Sequence, residues 1–501
     1  MKIYSQVLRL VAKKITATEL SKSKKARQNQ EKIFKSIVKK ARQTSFGKDH
    51  RFESIHTYDD FKSQVPVKDY EALRPYFERI KSGEINVLWP GKPKYFAKTS
   101  GTTSGAKYIP ITKESISNHI DSARNALFAY VSKNQNSDTF QGKMLFLSGS
   151  PELENLNGVL TGRLSGIVNH EIPVWFQKNK LPDWEVNCEP NWDVKVDKMI
   201  AQILPTDLRV ISGIPPWIQM LLERILEITN AKSISEVFPN LELYIHGGVN
   251  YKPYENRIQQ LIGKPVQLLE TYPASEGFFA YQNDMNDEGL LLNTSSGIFY
   301  EFIPLRDFSL NQPPRLCLQE VELHQDYAIV ISSNAGLWAY SIGDVVRFTS
   351  LQPYKIRVTG RVSQYISAFG EHVIASEIDE AITEAQKKFG FQITEYCVAP
   401  QVNPSDQQLP YHEWYIEFKD VNISIPLDVI AEFIDSSLQK KNSYYKDLIE
   451  NKILDKLKIR RIKKDGFKTY LISVNKYGEQ FKVPRLNNDR MVAQSMSNFV
   501  I

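Results

Sequence analysis

The sequence predicts an α/β protein, with a large layered N-terminal domain that includes a β-rich subdomain and a small C-terminal α+β domain. Three observations predict it. Between residues 95 and 360, short β-rich runs alternate with helical ones. Residues 290–360 then shift towards strands and turns, and past Gly360 a separate set of helices and strands begins. The expected domains are therefore 1–360 and 361–501, the second within the usual size range of a domain.

Residues 1–42 carry two helical patterns rich in Lys and Arg. The first places Ile3, Val7, Leu10 and Val11 on one side; Ser5, Gln6 and Arg9 interrupt its apolar run, so it reads as an amphipathic helix rather than a signal peptide. The cations from Lys22 to Arg42 would suit a nucleic-acid arm or a solvated helix face. Ile33, Ile37 and Val38 recur at helical spacing behind them, which favours the solvated face. Runs 144–147, 208–211, 243–246 and 266–269 read as buried strands, with helices over 217–228 and 255–262. Gly289, Gly297, Pro313, Pro314 and Gly336 punctuate the β-rich stretch. The last domain reads as helix 377–389, strands 395–398 and 413–418, helix 427–440 and strand 457–462.

Composition excludes several classes. Of 501 residues, 42% are apolar and 24% charged, which is ordinary for a globular protein, and a net charge of +6 does not by itself imply nucleic acid or an anionic membrane. Cys188, Cys317 and Cys397 form no CxxC pair, which fits a reducing, cytoplasmic setting. The eight histidines show no HExxH spacing. No stretch approaches the ~20 apolar residues of a membrane helix.

Residues 99–107 read Thr-Ser-Gly-Thr-Thr-Ser-Gly-Ala-Lys. Glycines let the backbone present N–H groups, hydroxyls add donors and Lys107 adds a charge, as a polyphosphate requires. The spacing is not that of a Walker A loop, and a Ser/Thr/Gly surface loop would look similar. Further along, Tyr272-Pro273-Ala274-Ser275-Glu276-Gly277 follows the expected strand 266–269. A carboxylate there lies where α/β sheets bind ligands, and Glu276 would suit Mg²⁺ held against phosphate. Two more segments follow: Tyr340-Ser341-Ile342-Gly343-Asp344, and the junction beginning Gly360-Arg361-Val362-Ser363.

Together, in this order, these four segments resemble the core motifs of the adenylate-forming superfamily, which includes acyl-CoA synthetases, peptide-synthetase adenylation domains and luciferases. A narrower resemblance covers nearly the whole chain. Thr44-Ser45-Phe46-Gly47, Val65-Pro66-Val67, residues 83–91, Tyr95 to Gly101 and the late Gln480-Phe481-Lys482-Val483-Pro484-Arg485 are similar to the acyl-acid amido synthetases, the auxin- and jasmonate-conjugating enzymes of plants and their bacterial relatives. The resemblance implies ATP and Mg²⁺ as cofactors. It places Ser100, Thr102, Thr103 and Lys107 at the phosphates, Gly247 and Gly248 at the adenine turn, and Tyr272, Ser275 and Glu276 at adenine and Mg²⁺. Asp344 and Arg361 fall at the ribose, and Lys482 is the C-terminal lysine that approaches the adenylate. Residues 1–360 would then be the adenylation domain. Departures are present: Ser104 and Ala106 replace the superfamily's Gly and Pro, Tyr108 a Gly, and Ser363 the hinge aspartate of CoA ligases.

The implied reaction is activation of a carboxylic acid by ATP, then acyl transfer to an amino acid. Such chemistry needs donors, a metal and alignment rather than a covalent nucleophile, consistent with the lack of a Ser-His-Asp signature. Residues 214–217 and 163–167 would line the acid pocket, although Trp217 would serve equally as a core residue. An acyl-CoA ligase and a non-catalytic nucleotide-binding protein are the rival readings. Lys456, Lys458, Arg460, Arg461, Lys463 and Lys464 would suit a CoA phosphate clamp or a solvated strand edge.

Overall fold

The computed structural model describes residues 2–99, 107–134, 138–248, 251–362, 365–366, 373–401, 404, 408–420, 423, 425–450, 454–474, 482–487 and 490–501. Ser100, Thr102, Thr103 and Ser363 lie outside the described residues. The chain divides into two compact units. One comprises residues 1–251, 258–342 and 346–358; the other comprises 252–257, 343–345 and 359–501.

In the first unit, helix Lys2–Lys24 packs on helix Lys113–Asn134. Its expected apolar side does not face the core: Val7, Leu10 and Val11 are exposed, while Ala12, Thr16 and Ser23 are buried. Small residues permit close helix contact, and Ala12 sits in one cluster with Ala126, Ala129 and Tyr130. Apolar count alone therefore pointed to the wrong face. The second helix, Ala26–Ala41, buries Phe34, Ile37 and Val38 and leaves Lys32, Lys35, Lys39 and Lys40 in solvent.

The strands of this region are β1 (Tyr95–Thr99), β2 (Lys107–Ile111), β3 (Lys143–Phe146), β4 (Glu154–Leu156), β5 (Val159–Gly162), β6 (Lys180–Leu181), β7 (Leu208–Ser212), β8 (Leu243–Gly247) and β9 (Gln267–Ala274). They continue with β10 (Gly277–Gln282), β11 (Leu290–Leu292), β12 (Ile298–Pro304), β13 (Asp326–Ser333), β14 (Tyr340–Leu351) and β15 (Tyr354–Arg361). A small sheet has the order β2-β1-β5-β4, and an 11-stranded sheet runs β12-β13-β14-β15-β11-β10-β9-β8-β7-β3-β6. From β9 to β6 the pairing is parallel, and the buried residues of β3, β7 and β8 make short apolar runs at its centre. At β9 it turns antiparallel, through β10 and β11 to β15.

The β12 edge is stitched by side chain and loop. Buried Gln30 donates to the carbonyls of Thr294 and Ile298 and accepts from the Tyr300 N–H at 2.8 Å, while Phe302 and Leu316 exchange backbone bonds of 2.8 Å.

In the second unit, β16 (Tyr365–Ile366) pairs with β17 (Val373–Ile374), and β18 (Ile393–Gln401), β19 (Tyr411–Phe418) and β20 (Asp455–Ile462) form a sheet. Side-chain alternation gives that sheet two apolar faces. Tyr396, Val398 and Trp414 pack with Ile378, Ile382, Ile434 and Leu438 of helices Ala375–Phe389 and Leu427–Lys441. Cys397, Ala399 and Tyr415 face Phe467, Val492 and Met496.

Candidate active site

Parallel pairing brings the carboxyl ends of β7, β8 and β9 to one edge of the first unit, where ligands of α/β sheets are held. β8 ends in Gly247. A Cβ there would lie 2.3 Å from the Thr271 carbonyl, so only glycine allows the turn to run so close to β9. Gly248 has φ +76°, a left-handed conformation that glycine adopts without strain.

The strand expected over 266–269 extends to Ala274, because the aromatic and β-branched Thr271 and Tyr272 continue the pleat. Ser275 and Glu276 therefore form the two-residue turn of the β9–β10 hairpin rather than a loop after a strand, with Ala274 paired to Gly277. Tyr272 is buried, its ring 5.0 Å from that of Phe279. Glu276 is half-buried on the turn. Its carboxylate oxygens are the donor type that Mg²⁺ takes; among the described residues no group of three or more His, Cys, Asp or Glu gathers.

Lys107 begins β2, with its ammonium 5.5 Å from the centre of the Tyr70 ring. Trp217 opens helix Pro215–Thr229, half-buried, its ring 4.6 Å from that of Trp192. Arg163 stands at the N-cap position of helix Leu164–Glu171, and Ile167 is wholly buried. His246, which the sequence did not single out, is 5% exposed, its ring stacks on Tyr251 at 4.7 Å, and its Nδ1 has no hydrogen-bond partner among the described residues. Burial lowers its pKa to about 4, so the imidazole is neutral.

The second unit gathers three of the residues singled out from the sequence. Gly343, at φ +81°, turns its carbonyl to accept the Val362 N–H at 2.6 Å. That bond sets Asp344 beside Arg361, whose Nε donates to Oδ1 at 2.9 Å. Lys482, from a segment far along the chain, enters the same electrostatic environment. Although the residue keeps exposed surface, the protein around its ammonium and the positive Arg361 and Arg485 lower its pKa to about 8, against the attraction of Asp344.

Comparison with known proteins gives the class first. The structure aligns with 2-hydroxyisobutyryl-CoA ligase in its postadenylation state over 96% of this chain and 90% of that one, with a TM-score of 0.57 and 13% identity. It aligns more closely with the AtGH3.15 acyl acid amido synthetase in complex with 2,4-DB: TM-score 0.79, 17% identity, and 97% and 96% of the two chains. At these identities the likeness establishes the fold alone, one shared with that ligase and that synthetase. The chain matches the GH3 family N-terminal domain over residues 18–195, its central domain over 291–361 and its C-terminal domain over 376–491. It belongs to the GH3 family. Among relatives, jasmonoyl–L-amino acid synthetase JAR4 of Nicotiana attenuata is 25% identical over 57% of this chain, and the match spans only 60% of that protein's length. Indole-3-acetic acid-amido synthetase GH3.4 of Arabidopsis thaliana is 21% identical, over 91% of this chain and 88% of its own.

Proposed function

We propose that this protein is an acyl-acid amido synthetase. It activates a small carboxylic acid with ATP as an acyl-adenylate and then transfers the acyl group to the amine of an amino acid, in the cytoplasm. The observation that carries this reading is the convergence of the paired Asp344 and Arg361 with Lys482, which comes from far along the chain, within one electrostatic neighbourhood.

In the first step, a carboxylate oxygen of the acid attacks the α-phosphorus of ATP and pyrophosphate leaves. The developing charge lies on phosphate oxygens and is met by preorganised donors. In this reading Lys107 and the hydroxyls of Ser100, Thr102 and Thr103 hold the phosphates. Gly247 and Gly248 let the backbone approach adenine, which Tyr272 and Ser275 border. Asp344 accepts from the ribose hydroxyls, with Arg361 holding its carboxylate. Lys482, protonated at neutral pH, faces the charge that forms between acid and phosphate. Mg²⁺, held by Glu276, would neutralise phosphate charge. In the second step an unprotonated amine attacks the acyl carbon, AMP departs and the amine loses a proton; the contribution required of the protein is positioning.

The cations of β20 support an amino acid rather than CoA as acceptor. Lys456 pairs with Glu432 at 2.8 Å, Arg460 with Glu413 at 2.8 Å, Lys458 bonds to Gln408 at 3.0 Å and Arg461 to the Asp420 carbonyl at 3.2 Å. Cations so engaged form a solvated strand edge more readily than a phosphate clamp. The test is a screen of acids for ATP–pyrophosphate exchange. With a competent acid, amino acids and CoA are then offered separately at equal concentration, with AMP release and product mass followed. Amide formation is expected with one or a few amino acids; a thioester made at higher kcat/KM than any amide would leave only the activation half standing.

A further inference from the structure

Lys482 is carried by a segment whose following residues are locked in place. Val483 is buried in one apolar layer of the second unit and Leu486 in the other. The Arg485 carbonyl accepts the Val398 N–H at 2.7 Å, and the Asn487 N–H donates back to the Val398 carbonyl at 3.0 Å, so the segment runs alongside β18.

Between these anchors the Arg485 side chain, 14% exposed, meets acidic and aromatic partners. Its Nε donates to Glu395 at 3.0 Å, Nη1 lies 3.5 Å from Asp379, and Nη2 donates to the Tyr254 hydroxyl. The guanidinium also lies 4.8 Å from the Tyr396 ring centre and 5.5 Å from that of Tyr254. Asp379 is fixed in turn by the Tyr396 hydroxyl. A buried ion network of this kind contributes little net stability, since a well-packed apolar residue would serve as well. What it supplies is a single geometry for the backbone that presents Lys482. Tyr254 extends that geometry to the first turn of helix Lys252–Ile262, which follows the Gly247–Gly248 turn in the chain.

We propose that Arg485 is a positioning residue for Lys482: its bonds to Glu395, Asp379 and Tyr254 fix the segment that delivers the ammonium to the activation step. The proposal rests on the adenylating function above. Among the described residues, the charged groups acting on Lys482 are Arg361, Arg485 and Asp344, and the titratable groups acting on Arg485 are Glu395, Tyr254, Tyr396 and Asp379. Activation requires Lys482 protonated, so the exchange rate falls as pH rises through its pKa of about 8. Arg485 holds that pKa down, so its removal moves the alkaline limb upward.

The experiment measures pH profiles of ATP–pyrophosphate exchange, and separately acyl transfer from preformed acyl-adenylate, in the full-length enzyme. Arg485→Met is expected to lower exchange at pH 7 about tenfold and acyl transfer much less, as a misplaced catalytic group does. Its alkaline limb should rise by about half a pH unit, the scale of one neighbouring charge. Arg485→Lys should recover part of the rate and return the limb. Tyr254→Phe, which keeps the ring and every charge, should lower exchange about threefold with the limb unmoved, the cost of one hydrogen bond; it keeps the test readable if Arg485→Met does not fold. Wild-type exchange in both variants, or equal loss in both steps with no shift of the limb in Arg485→Met, overturns the proposal alone. A wild-type enzyme that exchanges with no acid overturns the functional reading and the proposal with it.

Discussion

At the scale of single residues, Asp344 is held by Arg361, whose Nε donates to one carboxylate oxygen at 2.9 Å. In the proposed site this carboxylate meets the ribose hydroxyls. Asp344→Ala is expected to weaken ATP binding by about 1.5–3 kcal/mol, the scale of a charge-assisted hydrogen bond. Calorimetric titration of the folded variant with ATP checks this, and unchanged affinity would remove Asp344 from the ribose. Two buried histidines make a second prediction. Burial lowers the pKa of both His119 and His246 to about 4. The unfolded chain binds those protons first, so their contribution is fully present above about pH 6.5 and is lost as pH falls towards 4, at about 3 kcal/mol each. Urea unfolding at pH 7 and pH 4.5 should show the loss, and His119→Gln should flatten its slope. A slope unchanged by that substitution would assign acid sensitivity to other groups.

At the scale of elements, the β9–β10 hairpin sets Glu276 on a two-residue turn between paired strands, so its backbone has little freedom. Glu276→Gln keeps shape and removes charge. It should depress exchange about a hundredfold while preformed acyl-adenylate binds nearly as before, because a metal serves the pyrophosphate-releasing step. Filter binding of the adenylate beside an exchange assay separates the two, and equal losses would place the carboxylate elsewhere. The hairpin also shows what the sequence revealed and what it hid. Strands β3, β7 and β8 were legible as apolar runs bounded by turns, and helices Ala375–Phe389 and Leu427–Lys441 and strands β18, β19 and β20 of the second unit were legible too. The continuation of β9 through Tyr272 was hidden, because Pro273 and Ser275 imitate a loop until a partner strand fixes the register. The inward face of helix Lys2–Lys24 was hidden for a different reason, since periodicity counts apolar residues and not the closeness that Ala12 permits. Among candidate site residues, Asp344, Arg361 and Lys482 were singled out from their motifs. His246 and Tyr254 were not, since an isolated His or Tyr on an apolar run reads as core until its neighbours are known.

At the scale of the molecule, the large sheet has two ends of different character. Its β6 end is only two residues long, and its β12 end carries the Gln30 and Leu316 contacts that occupy backbone donors and acceptors along the outer strand. Open strand edges are templates on which other chains add. A sheet of this width, rich in valine, isoleucine and phenylalanine, would otherwise invite such addition during expression and storage. One side chain on an N-terminal helix thus bears on solubility, and its value would be felt not in the rate of the enzyme but in how concentrated a solution of it can become before it aggregates.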